Sequence, residues 1–237
     1  MADIWFAGDN HSRFRHIIDA VKRHRPFAIV LLGDIQARQP IQIELAEVLS
    51  LTQVYWIHGN HDTDTEREYD NLFGSALADR NLHGCVVDVA GVRIAGLGGI
   101  FRERVWLPPD KPIHDSPKEY LRVAGKGNRW RGGLPLRHRS TIFPDDYLRL
   151  SRLSADVLVC HEAPGAHPHG NEALELLAIT MGASKLFHGH THDALPYDNQ
   201  HIKLCGVGLC GITSIDGTKI VTGELDDARS NRQLFRT

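Results

Sequence analysis

Five short apolar runs in this chain end in the same kind of cluster. They are WFAGDNH from Trp5, VLLGD from Val30, YWIHGNHD from Tyr55, VLVCHE from Val157 and LFHGHTH from Leu186. Short runs of β-branched and large aliphatic residues read as strands buried on both faces. Helical spacing fills the intervals: Phe14, Ile17, Ile18 and Val21 in SRFRHIIDAVKRHR, with Ser12 as the expected N-cap, then IQIELAEVLSL, and NEALELLAITMGA after the fourth run. Such alternation calls for parallel strands joined by crossover helices. In α/β sheets the ligand crevice lies beyond the carboxyl ends of the strands, so all five clusters share one address.

The rest of the chain fits around that frame. EREYDNLFGSALADR reads as helical, GCVVDVAGVRIAGLGG as a hairpin turning at Ala90-Gly91, and the stretch from His201 as strands with a turn at Asp216-Gly217. With 237 residues the chain is long enough for one sizeable α/β domain spanning 1–237. One region departs from the rhythm. From about 101 to 143 it carries ten Lys or Arg against four acids and five prolines, with little apolar periodicity. It is expected to be a long surface insertion, a cap or flap, since loops of that length are usually functional or disordered.

Charge and cysteine usage exclude some classes. A formal net charge of −2 gives the whole molecule no bulk basic character for holding nucleic acid. The insertion is near +6, leaving the remaining chain near −8. Cys85, Cys160, Cys205 and Cys210 form no C-x-x-C pair and sit in apolar surroundings, as reduced thiols do. The start, MADIWFAGDN, has no basic, apolar leader pattern, and no run approaches membrane-spanning length. A cytoplasmic setting with no membrane partner is the resulting expectation.

Fifteen histidines need an explanation, and KLFHGHTHDA concentrates three of them at alternate positions. If strand geometry continues, His188, His190 and His192 share one face. A metal would use such a face, because neutral imidazole is the commonest protein ligand; a His-rich surface turn is the other reading of this fragment. Together the five clusters offer oxygen and nitrogen donors without thiolate, a set suited to Mn, Fe, Zn or Co in hydrolytic sites.

The series GDNH, GD, GNHD, H and GHTH, in that order from Asp9 to His192, resembles the calcineurin-like metallophosphoesterase superfamily. The resemblance implies a four-layer α/β/β/α sandwich of two mixed sheets flanked by helices, with two divalent metal ions. Carried over by position, Asp9, His11 and His192 would hold one ion, and Asn60, His161 and His190 the other. Asp34 would bridge them. Cations about 3.5–4 Å apart need a shared anionic ligand and acidify a bridging water. The implied chemistry is attack of that hydroxide on a phosphodiester or phosphomonoester, with His61 near the leaving group as its proton source. His188 has no ligand role in this pattern and is expected to pack behind it. His58 reads as a core or edge histidine, and His167 and His169 fit a polar loop as well as a supporting contact.

Departures from the pattern bear on the substrate. The protein serine/threonine phosphatase branch reads Gly-Asp-x-x-Asp-Arg-Gly, whereas here GDIQARQ puts Ala37 and Gln39 at the second Asp and the last Gly. The missing carboxylate would have oriented the catalytic histidine. Asp62 stands where that branch has Glu. The chain is closer to the prokaryotic phosphodiesterase-like branch. Arg38 matches the pattern's Arg and is a candidate grip on a phosphoryl oxygen, with a plain surface Arg as the equal alternative. GKGNRWRGG, with Trp130 between Arg129 and Arg131, has a cation-plus-aromatic look that leaves nucleic acid open as a partner and a nuclease as an alternative. A metal-binding interaction scaffold with little turnover is the third reading. Oligomeric state is not fixed by the sequence.

Overall fold

The computed structural model of the protein describes residues 3–195, 197, 199 and 201–226. Two five-stranded mixed sheets lie face to face. The first is built on β1 (Ile4–Ala7), β2 (Ala28–Leu32) and β3 (Gln53–Ile57), which run parallel. The second takes β4 (Val86–Val89), β5 (Val92–Leu97), β6 (Val157–Cys160), β7 (Lys185–His188) and β8 (Lys203–Gly206), in chain order. From β5 to β8 its pairings are parallel. The chain then returns to the first sheet through β9 (Ile212–Ser214), antiparallel to β1, and β10 (Lys219–Val221) at its edge.

Period-two alternation divides these strands between layers. Ile4, Phe6, Val30, Leu32, Tyr55 and Ile57 face Ile94, Val157, Val159 and Phe187 of the opposite sheet, with Phe6 stacked on Phe187 at 3.9 Å. Their neighbours Trp5, Ile29, Leu31, Val54 and Trp56 point outward, onto Ile17, Ile18 and Val21 of α1 (Arg15–His24). Leu158, Cys160 and Leu186 point the other way, onto Leu174, Leu177 and Ala178 of α6 (Ala173–Thr180). This is the expected α/β/β/α sandwich, and it explains why β1, β2 and β6 are apolar throughout.

Local structure departs from the sequence reading at several points. Ser12 does not cap α1; its backbone is left-handed at φ 65° and its hydroxyl donates to the Gln36 carbonyl at 2.6 Å. Phe14 holds the N-cap position instead. IQIELAEVLSL is helical only over α2 (Ile41–Glu44) before breaking into turns, and EREYDNLFGSALADR only over α3 (Glu66–Phe73), with a 3₁₀ turn at Ala78–Arg80. The hairpin at Ala90-Gly91 forms, with Val89 opposite Val92 and both turn residues at positive φ, as a tight two-residue connection requires.

The basic segment contains α4 (Pro117–Val123) as well as short 3₁₀ turns. Ser116 caps α4 by accepting from the Glu119 N–H at 3.2 Å, and Glu119 Oε2 accepts from the Asp115 N–H at 2.7 Å. The S-P-K-E sequence carries that signature, with proline at the first helical position. Buried Val105, Ile142 and Phe143 root the segment, which leads into α5 (Pro144–Leu150). Among the described residues no helix is long and apolar enough to cross a membrane.

Candidate metal centre

Five loops leave the carboxyl ends of β1, β2, β3, β6 and β7 and meet where the two sheets abut. The first two loops are laced by backbone bonds from His11 N to Asp34 O at 2.9 Å and from Ser12 N to Ile35 O at 3.0 Å. Asp9 reaches across to the β7 loop, both carboxylate oxygens lying 3.0 Å from the His190 N–H. Asp34 Oδ1 accepts from the His61 N–H at 2.9 Å. Asp62 accepts from the Gln36 N–H at 2.7 Å and the Gly59 N–H at 2.8 Å, pinning the second loop to the third.

Backbone conformation at these positions is unusual. Asp9, His11, Asp34, His190 and His192 all have positive φ, between 20° and 68°. Left-handed non-glycine residues cost on the order of 1–3 kcal/mol and cluster at functional sites. His190 and His192 therefore reach the cluster by a left-handed turn after β7 ends at His188, rather than by continued strand alternation. Glycine is required at the third loop for a different reason. A Cβ on Gly59 would stand 2.2 Å from Asp34 Oδ1.

The result is two groups of ligand atoms, each within 4.8 Å of one another: Asp9, His11, Asp34 and His192, and Asp34, His161 and His190. Asp34 belongs to both. Asn60 joins the second through Oδ1, 3.1 Å from His161 Nε2. Asp9 and His161 are fully buried and Asp34 is 1% exposed, so the charges have little water to turn to. Burial pushes the Asp9 carboxyl up to about 7, with neighbouring Asp34 adding to the effect against His161. Burial also opposes charge on Asp34 and on His161, but at 3.4 Å each outweighs it for the other. The carboxyl is held below its usual range and the imidazole is raised to about 10.

The donor set fits divalent cations. His11 Nε2 and His192 Nε2 face each other at 3.0 Å, a convergence of two ring nitrogens that a metal ion relieves by taking both lone pairs. Ring nitrogens on the far side are supported, His11 Nδ1 by Gln36 Oε1 at 2.6 Å and His161 Nδ1 by the Leu32 carbonyl at 2.8 Å. Such partners fix tautomer and ring orientation. His188 lies outside both groups, buried, with Nε2 2.7 Å from the Tyr197 hydroxyl and Nδ1 2.9 Å from the Gly189 carbonyl. His58 is buried too, its Nδ1 without a partner.

His61 sits at the mouth, its Nδ1 2.6 Å from Asp64 Oδ2. Burial disfavours the imidazolium there, but the Asp64 hydrogen bond and the Asp34 charge prevail and raise its pKa. Asp64 thus gives His61 a carboxylate partner of the kind that Ala37 cannot offer, and the sequence carries no local signal for it. Asp62, in the place of a Glu, is the brace of the second and third loops through its two backbone bonds.

The three cations singled out from the sequence make the following contacts. Arg38 is exposed, with its backbone N–H on Glu44 Oε1 at 3.1 Å. Arg129 donates to the Leu121 carbonyl within the insertion. Arg131 stacks on Trp130 at 4.2 Å and holds Asp70 of α3 with two bonds of 2.6 and 2.8 Å. Trp130 Nε1 donates to Glu66 on the same helix at 2.7 Å. This Trp–Arg pair fastens the insertion to α3. The cavity beside Asn60 and His61 is lined by Arg102 and Arg137, which in the sequence are only two among the ten basic residues of the insertion.

The family model described as calcineurin-like phosphoesterase matches residues 2–194. An uncharacterized protein of Haemophilus influenzae is 41% identical over 219 residues, covering 92% of this chain and 96% of its own. Among solved structures, TT1561 of Thermus thermophilus superposes with a TM-score of 0.55 at 12% identity over 90% of this chain and 93% of that one. Phosphopantetheinyl hydrolase (PptH) of Mycobacterium tuberculosis does so with a TM-score of 0.52 at 17% identity, over 86% of this chain and 89% of its own. At such identities these two likenesses speak for the fold. With the fold, the Asp/His cluster and the match over most of its length, this chain belongs to the calcineurin-like phosphoesterases, metal-dependent hydrolases of phosphoric esters.

Proposed function

We propose that this chain is a binuclear phosphoesterase of a single domain, with the 101–143 segment as a cap over the metal centre. The observation that carries the reading is the membership of Asp34 in both ligand groups. Asp9, His11, Asp34 and His192 would hold one cation, and Asp34, Asn60, His161 and His190 the other, drawn from Mn, Fe, Zn or Co. Such ions acidify water and neutralise phosphoryl charge.

The chain's own residues supply the rest. Buried Asp9 and His161 keep the ligand atoms in a dry, preorganised pocket, where electrostatic interactions are strong. Asp64 holds His61 by Nδ1, leaving Nε2 as the nitrogen that meets the leaving oxygen of the ester. The N–H of His61 donates to Asp34, which ties the position of the histidine to the shared ligand.

A panel of chromogenic phosphomonoesters and phosphodiesters, assayed with added Mn alongside His61→Ala, tests this. Turnover by the native protein and a loss of about 10²-fold or more in the variant are expected. Absence of turnover on every ester, with metal bound, would contradict it and favour a non-catalytic scaffold.

A further inference from the structure

The opening beside the metal cluster is a cavity of about 430 Å³ with Asn60, His61 and Thr63 on one side and Arg102, Leu136 and Arg137 on the other. A second cavity of about 440 Å³ adjoins it, lined by Phe101, Glu103, Arg104 and His138 together with the same two arginines. Arg102 and Arg137 belong to both walls. We propose that they form a second anion site, and that the substrate carries a second phosphoryl group joined to the scissile one, as in a phosphoanhydride. The inference rests on the phosphoesterase reading above and narrows its substrate class.

What these two arginines combine is a place in the wall beside His61 and no ion pair of their own. Arg13, Arg15, Arg93, Arg131 and Arg149 each lie against a carboxylate. Among the described residues no carboxylate comes within 4.0 Å of Arg102 or Arg137. Arg102 is partly buried, its Nη2 reaches only the Ser140 hydroxyl at 3.3 Å, and its Nε is buried with no partner. Burial and the charge of Arg137 push its guanidinium pKa down, outweighing the opposing pull of Asp64 and Glu162, neither of which reaches it as an ion pair. Asp64 lines the same cavity, but its carboxylate is taken by His61. Glu103 is exposed.

A forked guanidinium matches a phosphoryl group by paired hydrogen bonds, and a partly desolvated one does so strongly. A simple monoester placed against Asn60 and His61 would leave both forks unmatched. A diphosphate would fill the metal side with one phosphoryl group and the arginine side with the next. Hydrolysis then adds the oxygen of water to the first phosphorus and breaks its bond to the bridging oxygen. The second phosphoryl group leaves with that oxygen and the bonding pair, and the arginines face the charge it gains.

Imidodiphosphate and orthophosphate serve as probes, as competitive inhibitors of chromogenic diester hydrolysis by the Mn-loaded protein. The native protein is expected to bind imidodiphosphate about tenfold or more tightly than orthophosphate. Arg137→Gln and Arg102→Gln should each erode that preference by about tenfold or more, the worth of a hydrogen bond between charged groups. Arg93→Gln, at a distant surface pair with Asp156, should preserve it. Equal affinity for the two probes in the native protein, or equal weakening of both in the variants, would overturn the proposal. Arg137 is exposed, so its variant decides the matter should Arg102→Gln fail to fold. If no ester is turned over, the phosphoesterase reading falls separately, and calorimetric titration of the two probes still reads the anion site.

Discussion

His61 Nδ1 and Asp64 Oδ2 meet at 2.6 Å, so a carboxylate three residues downstream orients the histidine at the mouth of the Asp/His cluster. Ala37, on the second loop, offers no such carboxylate. Asp64→Ala is expected to lower kcat by about 10–100-fold with metal content unchanged, because the ring loses its tautomer lock. Asp64→Glu should recover part of the loss. A kcat equal to that of the native protein in Asp64→Ala would remove Asp64 from the site.

Gly59 offers a sharper probe of packing at the centre. Any Cβ there would collide with Asp34 Oδ1 and with the Asp34 backbone N at 2.3 Å. Gly59→Ala should cost about 1–3 kcal/mol of stability through forced shifts and should lower metal retention after gel filtration. Thermal melts and elemental analysis of the variant read both. Retention of full stability and full metal content would mean the loop moves freely.

These two residues also mark the limits of reading the chain as text. The layers are legible, because strands buried on both faces are apolar at every position and the Gly-polar clusters end them. The hairpin at Ala90-Gly91 is legible for the same local reason. His190 and His192 are legible as candidates, but not the way they arrive, since alternation in sequence hides a left-handed turn. The short α4 carries a Ser116 cap, with Glu119 reaching back to the Asp115 N–H, that a search for apolar periodicity passes over. Asp64 and Arg102 have no local signal at all. Their roles come from what the fold sets beside them, and the eye-catching Arg131 turns out to be paired with Asp70.

That pairing yields a prediction about the insertion. Arg131→Gln removes two bonds to Asp70 and the cation over Trp130, all at the surface. Exposed ion pairs contribute roughly 0–1 kcal/mol, so the global melting temperature should barely move. Limited proteolysis within 101–143 should accelerate instead, because local opening is governed by local contacts. An unchanged cleavage rate would show that the remaining contacts, among them Val105, Ile142, Phe143 and the Trp130–Glu66 bond, hold the segment without Arg131.

Acid should destabilise the protein partly through His16, away from the metal cluster. Burial, helped by Arg13, pushes its imidazole down to about 4, and Nε2 has no partner. An unfolded histidine titrates near 6.5. Between those values the unfolded chain binds more protons than the folded one, so stability contributed by neutral His16 is full above about 6.5 and is lost as pH falls toward 4. Urea midpoints from about pH 7.5 to 4.5 should fall less steeply in His16→Asn than in the native protein. Parallel profiles would assign the acid sensitivity to other groups.

The shared carboxylate carries the whole reading, and metal stoichiometry tests it most directly. Reconstitution with Mn, gel filtration and elemental analysis of the native protein should return about two ions per chain, the number a bridged pair requires. Asp34→Asn should return one or fewer. A native protein saturating at a single ion, or an Asp34→Asn variant that keeps two, would contradict the account.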